Sequence, residues 1–316
     1  MEKKYYVGID LGGTFVKGGV VDEDGTILYQ DKVPTEREKG AEKVMDNMAT
    51  LVEMVLQGAN IKKEQTVGVG VGVPGMIDSK AGVVIYTNNL AWSDIPLAQE
   101  IKNRTGLPVA IANDAHVATL GEVKFGAAKN YDNAIMLTLG TGVGGGIVID
   151  GKLVEGNKSA GAELGHTVIQ VGGEQCTCGR KGCLETYASA TALIRDTKRA
   201  MQENQDSKMW EIGSLDCVTG KTAFDYKEID ASAKAVVEKY IEYLGQGIAN
   251  MANIFRPEVV ILGGGVCAQG DALIKPVQAV LDREIYAGTR LAGKAGIFGG
   301  VILILIGIEI FLTGIL

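Results

Sequence analysis

The chain has 316 residues, enough for two domains with a core each, and a net charge of −7. No run of lysine or arginine stands out, which argues against a nucleic-acid surface and favours a small-molecule role. Its 44 glycines cluster in short motifs instead of spreading as linker, so backbone is expected to approach something closely at several points.

In chain order, residues 4–9 (KYYVGI) read as a buried strand, 10–14 (DLGGT) as a tight turn, and 15–21 as a returning strand closed by DEDG at 22–25. TILYQDKV supplies a third strand. Between Glu38 and Gln57, Val44, Met48, Leu51, Val52 and Val55 recur at steps of three and four, the apolar face of a helix that should cover the sheet. TVGVGVGV at 66–73 is a central strand delivered to a non-helical turn at Pro74 and Gly75. A helix is expected from Leu97 to Arg104, a strand at 109–112, and a helix from the Asn113, Asp114 junction to about Phe125. Strand ends of this kind are where open α/β sheets bind ligands. Residues 134–139 begin a second hairpin through GTGVGGG at 140–146 into IVID, repeating the logic of the first. Helices over about 186–204 and 228–255 precede VVILGGGV at 259–266, a strand entering a third glycine turn, and a helix from Asp271 to about Ile285. The repeat implies two related α/β halves facing each other across a cleft.

His166, Cys176, Cys178 and Cys183 lie within GAELGHTVIQVGGEQCTCGRKGCLE, and one imidazole with three thiolates is the ligand set of a closed tetrahedral zinc site. A disulfide or unrelated free thiols are the alternatives. Nothing at the N-terminus resembles a signal peptide, so a reducing, cytoplasmic setting is expected, where clustered cysteines favour a metal. Cys217 and Cys267 read as small buried hydrophobes. Glu163 and Glu185 flank the knot, so fixing it would fix where they point.

DLGGT fits neither a Walker loop nor GxGxxG. Gly12, Gly13 and Thr14 can offer N–H groups and a hydroxyl to phosphate, Asp10 can hold hydrated Mg2+, and Lys17 adds a positive charge. An ordinary hairpin turn is the alternative. Gly140, Thr141 and Gly142 on the other half, with Gly264 and Gly265 in the third turn, strengthen the phosphate reading. A sugar hydroxyl attacking a phosphoryl group needs a carboxylate to take its proton, and Asp114 is placed for that, with helix capping as its alternative role. Asn113, Glu163, His166 and Glu185 offer the donors and acceptors a polyhydroxylated ligand requires.

From Ile297 to Leu316 the chain carries one charge, Glu309, long enough to span a bilayer, although glycines interrupt the run. We expect it to pack against protein, a membrane anchor being the other reading.

These motifs, together with PG at 74–75, NNLAW at 88–92 and ND at 113–114, resemble those of the ROK family, and within it the bacterial glucokinases, over residues 4–275. The resemblance implies a two-domain actin/hexokinase superfamily (ribonuclease H-like) α/β fold with an interdomain cleft, domain one being 1–115 completed by about 290–316 and domain two 116–289. It implies a homodimer or homotetramer. It implies ATP-dependent phosphorylation of a hexose, glucose first, with Asp114 as base and Asn89, Asn113, Asp114, Glu163, His166 and Glu185 at the sugar. ATP with Mg2+ would fall to Asp10, Gly12, Gly13, Thr14, Lys17, Gly140, Thr141, Gly142, Gly264 and Gly265, and structural Zn2+ to His166, Cys176, Cys178 and Cys183. Kinases for fructose, N-acetylmannosamine or N-acetylglucosamine, and a non-catalytic sugar-sensing regulator, are the alternatives. ROK repressors carry an N-terminal winged helix, whereas the first strand here starts near Met1. LAGKAGIFGG replaces the family's usual C-terminal segment, with Ala295, Gly296, Ile297 and Gly299 expected to begin a closing helix.

Overall fold

The computed structural model describes residues 3–286 and 296–298. The remainder of the tail, where a packed helix or an anchor was expected, lies outside the described residues. The chain divides into two compact units: residues 3–132 with 146–162, and 133–145 with 163–286 and 296–298.

The first unit is built on a sheet of β1 (Tyr5–Leu11), β2 (Phe15–Asp22), β3 (Ile27–Pro34), β4 (Thr66–Val73) and β8 (Val109–Asn113), in the order β3-β2-β1-β4-β8. The hairpin pairings β1–β2 and β2–β3 are antiparallel, and β1–β4 and β4–β8 are parallel. Helix α1 (Ala41–Ala59) packs on this sheet, and the five apolar residues picked out by its periodicity, Val44, Met48, Leu51, Val52 and Val55, are each fully buried. Gly40 at φ 90° opens the helix and Asn60 at φ 56° closes it, its N–H returning to the carbonyls of Leu56 and Gln57. The Val–Gly alternation of β4 has a simple cause. Val69, Val71 and Val73 join the same core as α1, while on the opposite face a Cβ at Gly68 would lie 2.8 Å from the Pro108 carbonyl oxygen.

A small antiparallel sheet of β5 (Met76–Asp78), β6 (Val83–Thr87) and β7 (Trp92–Ile95) had no clear sequence signal, its strands being short and separated by polar turns. It carries the NNLAW segment between β6 and β7. Helix α2 (Leu97–Thr105) leads to β8, and α3 (Asp114–Lys124) follows β8 directly.

The second unit contains β9 (Ala134–Leu139), which lies parallel to β12 (Val259–Gly263), itself parallel to β13 (Gly296–Phe298). β10 (Val143–Ile149) starts in this unit, passes covalently into the first, and there pairs with β11 (Lys152–Leu153). Gly296 and Ile297 are therefore strand, not the start of a helix. Isoleucine and phenylalanine suit a strand, and β12 offers them an edge to pair with. The helices are α4 (Glu185–Ala188), α5 (Ala190–Glu203), α6 (Thr222–Tyr226), α7 (Ala231–Phe255) and α8 (Asp271–Glu284). The expected single helix over 186–204 is broken at Ser189, which leaves the helical conformation and caps α5 by accepting from Ala192 N at 3.0 Å. Among the described residues no helix is long and apolar enough to cross a membrane.

A close contact in the first core yields a test of this packing. A Cβ at Gly18 would lie 2.8 Å from Ile9 Cδ1 and 3.0 Å from Leu51 Cδ2. Leu51→Ala alone should cost about 2–5 kcal/mol and Gly18→Ala about 1–3 kcal/mol. Because the first change makes room for the second, the double variant should be more stable than the sum by roughly 1 kcal/mol in a urea-unfolding cycle; simple additivity would refute the contact.

Candidate functional site

Strand register sets the first group of site residues. Asp10 lies opposite Lys17 on β2 and beside Gly72 on β4, while Val73 lies beside Asn113 on β8. Asp10 and Asp114 thus leave the sheet at the same end, the carboxyl end of its parallel strands. Asn113 caps α3, its Oδ1 accepting from Ala115 N at 2.9 Å and His116 N at 3.2 Å. Its Nδ2 donates to the Gly75 carbonyl at 3.1 Å and holds the Pro–Gly turn. Capping therefore falls chiefly to Asn113, and Asp114 occupies the first helical position with Oδ1 accepting from Ala115 N at 2.8 Å.

Burial is the largest influence on both carboxyls. It raises Asp114 above the usual carboxylate range, against the opposing pull of the backbone N–H groups. It also raises Asp10, which the nearby Asp114 pushes further to about 6, while Lys17 pulls it back.

The DLGGT turn is pinned from outside the motif. Thr35, fully buried, donates its hydroxyl to the Gly12 carbonyl at 2.6 Å and its N–H to the Thr14 carbonyl at 2.9 Å. Arg37 Nη1 donates to the Asn89 carbonyl at 2.8 Å, joining the turn's neighbourhood to NNLAW. Within α3, His116 is buried and its ring is hydrogen-bonded to the Gly161 backbone; burial pushes its imidazole down.

In the second unit, the turn at Gly140–Gly142 is gripped by the segment after the cysteines. Ala190 N donates to the Gly140 carbonyl at 2.8 Å and the Thr191 hydroxyl to the Thr141 carbonyl at 2.7 Å. Glu185 Oε2 accepts from Val143 N at 3.0 Å and lies where a Gly142 Cβ would meet it at 2.4 Å, so a side chain at Gly142 would displace that carboxylate. The GAELGH segment packs on the same strand start: a Cβ at Gly165 would lie 2.0 Å from the Val143 carbonyl oxygen. Glu163 is exposed at the head of a short 3-10 turn, Leu164–His166. Gly264, at φ 91°, rests against Leu139, its virtual Cβ 2.5 Å from that carbonyl oxygen, while a Cβ at Gly265 would meet open space.

The cysteine loop folds by small bridges, Val168 with Cys183 and Gln175 with Lys181. Gly182, at φ 80°, would place a Cβ 1.7 Å from the Gln170 carbonyl oxygen, so the turn requires glycine. One ligand atom from each of His166, Cys176, Cys178 and Cys183 lies within 4.8 Å of the others. Cys176 Sγ is 3.6 Å from His166 Nδ1 and Cys178 Sγ is 3.7 Å from Cys183 Sγ. A tetrahedron with 2.3 Å metal–sulfur arms has edges of about 3.8 Å, whereas a disulfide needs about 2.05 Å. The thiols are free and unbridged, and the donor set fits zinc. Burial and the neighbouring thiols push Cys183 up to about 12, which a dication would reverse. Of the two lone cysteines, Cys267 is buried as expected, whereas Cys217 is exposed, on a surface 3-10 turn.

Each unit thus gathers its own set. The first holds Asp10, Gly12, Gly13, Thr14, Lys17, Asn89, Asn113 and Asp114; the second holds Gly140, Thr141, Gly142, Glu163, His166, Glu185, Gly264, Gly265 and the three ligand cysteines. The sequence reading missed Thr35, Arg37 and Thr191, which belong to no motif and matter only through the carbonyls they hold.

A model of the ROK family matches residues 6–292. The glucokinase of Halalkalibacterium halodurans is 37% identical over 95% of this chain and 94% of its own length. The xylose repressor of Caldicellulosiruptor bescii is 30% identical over 89% of this chain and 70% of the repressor. Among solved structures, a ROK family glucokinase from Streptomyces griseus in complex with glucose and AMPPNP superposes with a TM-score of 0.83 at 34% identity, covering 97% of this chain and 98% of that one.

The Asp10 environment predicts a trade of stability for charge. A carboxyl raised from 3.8 to about 6 on folding favours the fold when protonated and opposes it as pH rises through about 6. Asp10→Asn should therefore stabilise the metal-free protein by on the order of 1–3 kcal/mol at pH 8, with little gain at pH 4. Thermal melts at the two pH values check this, and an equal or larger gain at pH 4 would contradict it.

Proposed function

The chain belongs to the ROK family, and from that membership and the geometry of its two units we infer that it transfers the terminal phosphoryl group of ATP to a hexose, with glucose as the preferred acceptor. The observation that carries the reading is the raised carboxyl of Asp114 at the end of β8, in a chain whose glycine turns follow β1, β9 and β12. Phosphoryl transfer asks a protein for positioning, charge neutralisation and a proton acceptor, and little else.

We assign the proton acceptor to Asp114. Burial makes its carboxylate a stronger base than a solvated one, and the cap made by Asn113 fixes the start of the helix that carries it. The DLGGT and LGTG turns take the phosphates through backbone N–H groups, Lys17 adds charge, and the Gly264, Gly265 turn lies against the adenosine. Asp10 and its hydration would hold Mg2+, which supplies charge neutralisation across the phosphates when bound. Asn89, Asn113, Glu163, His166 and Glu185 are assigned to the hexose. Zn2+ on His166, Cys176, Cys178 and Cys183 would be structural, and thiolate ligation suits a reducing compartment such as the cytoplasm. The repressor relative supports a second reading, a sugar sensor without catalysis.

Two experiments separate these readings. A coupled assay over glucose, fructose, N-acetylmannosamine and N-acetylglucosamine with Mg-ATP should rank glucose first by kcat/KM; sugar binding with no transfer from any nucleotide would favour the sensor. Asp114→Asn should lower kcat by about 10²–10⁴-fold while leaving glucose affinity within a few-fold, and full turnover would remove Asp114 from the base's role. Metal analysis should find about one zinc per chain, and Cys178→Ser should release it and raise KM for glucose roughly tenfold or more. Active, freshly purified protein without zinc would refute the metal assignment.

A further inference from the structure

Arg37 is unusual in its place and its partners. Its guanidinium is exposed, its Nη1 donates to the Asn89 carbonyl at 2.8 Å, and the same nitrogen is 3.9 Å from where a Gly13 Cβ would stand. It is therefore bonded to the loop assigned to sugar and lies beside the turn assigned to phosphate. Among the described residues no carboxylate pairs with it: the adjacent Glu36 is taken by Lys39 and Lys43. A guanidinium has five N–H donors in a planar fork, and a single carbonyl uses little of that capacity.

The backbone that presents Arg37 is held at some cost. Glu36 sits at φ 54°, a left-handed conformation uncommon for glutamate. Asn47 on α1 secures it, its Nδ2 donating to Glu36 Oε2 and to the Pro34 carbonyl, each at 3.0 Å. On the other side Thr35 ties the segment to Gly12 and Thr14. Three consecutive residues are thus fixed so that the third projects beside DLGGT.

Resting on the kinase reading above, we propose that Arg37 binds the phosphoryl group in transfer, donating from its fork to the terminal phosphate oxygens while the Asn89 carbonyl holds the guanidinium in place. Arginine suits this task because its charge is permanent and its two parallel N–H groups match phosphate geometry. Charge spread over the transferred group is greatest in the transition state, so the contact should act mainly on kcat.

The test compares Arg37→Met and Arg37→Lys with the parent full-length protein. Arg37→Met should lower kcat about 100-fold with KM for glucose within twofold, and Arg37→Lys should restore part of the loss. Calorimetric titration in Mg2+ should show Arg37→Met weakening AMP-PNP at least about tenfold more than ADP, since only the former carries a terminal phosphate mimic. Turnover within threefold of the parent, a change confined to glucose KM, or equal losses for the two nucleotides would overturn the proposal and leave Arg37 as a prop for Asn89. If the parent transfers no phosphate to any hexose, the kinase reading fails on its own, and the nucleotide comparison still decides whether Arg37 meets a terminal phosphate. Because the side chain is exposed, both variants should melt near the parent, and the lysine variant keeps the charge if the methionine one does not fold.

Discussion

The first unit is organised around two carboxyls that would rather not be there. Asp10 and Asp114 leave one sheet at the same end, both drawn out of water, and Asp114 makes ionisation of Asp10 harder still. Such a pair persists only if the scaffold is stable without it. The apolar seam between α1 and β1, β2 and β4 supplies that stability, with side chains from Val7 to Val73 in a single buried cluster. In general a carboxyl pushed up by burial is a stronger proton acceptor than a solvated one, and a pair of carboxylates attracts a cation. Lys17, opposite Asp10 in the hairpin, supplies only part of the compensation.

In the second unit the corresponding constraint is the missing Cβ of Gly142. Its absence lets the Glu185 carboxylate reach Val143 N, and Glu185 Oε1 then lies 3.4 Å from the Thr177 hydroxyl and 3.7 Å from Cys176 Sγ. One side chain thereby links the cysteine loop to the glycine turn. Leu184, next to it, is buried where α7 has Gly247 in place of a larger residue, so helix packing, loop and turn are fixed together. Any metal that orders the cysteine loop would act on the turn as well as on Glu185 itself.

Much of this was legible in the sequence because the signals were periodic or chemical. The apolar face of α1 followed from steps of three and four, the central strand from alternation, and the clustering of His166 with three cysteines from residue type. The small sheet β5–β7 was not legible, since strands of three to five residues carry too little period to register. Nor was the break at Ser189, where a cap competes with a helical run that propensity alone would continue. The placing of Asp114 was correct at the strand-to-helix junction, but which of two neighbouring side chains caps the helix depends on rotamers that a sequence does not display.

The same limit explains why Thr35, Arg37 and Thr191 escaped notice, and a common principle joins them. Each donates from its side chain to a backbone carbonyl of a loop that carries candidate site residues: Thr35 to Gly12, Thr191 to Thr141, Arg37 to Asn89. A carbonyl facing a phosphate would repel it, so a turn can serve an anion only if its carbonyls are turned away and given partners elsewhere. The glycines permit the required backbone path, but they do not select it, because a residue without a side chain is compatible with many paths. Selection comes from donors placed at a distance in sequence, and in both units a threonine hydroxyl does it at a glycine turn. The motif residues therefore supply the freedom, and residues outside every motif supply the constraint that turns this freedom into one geometry.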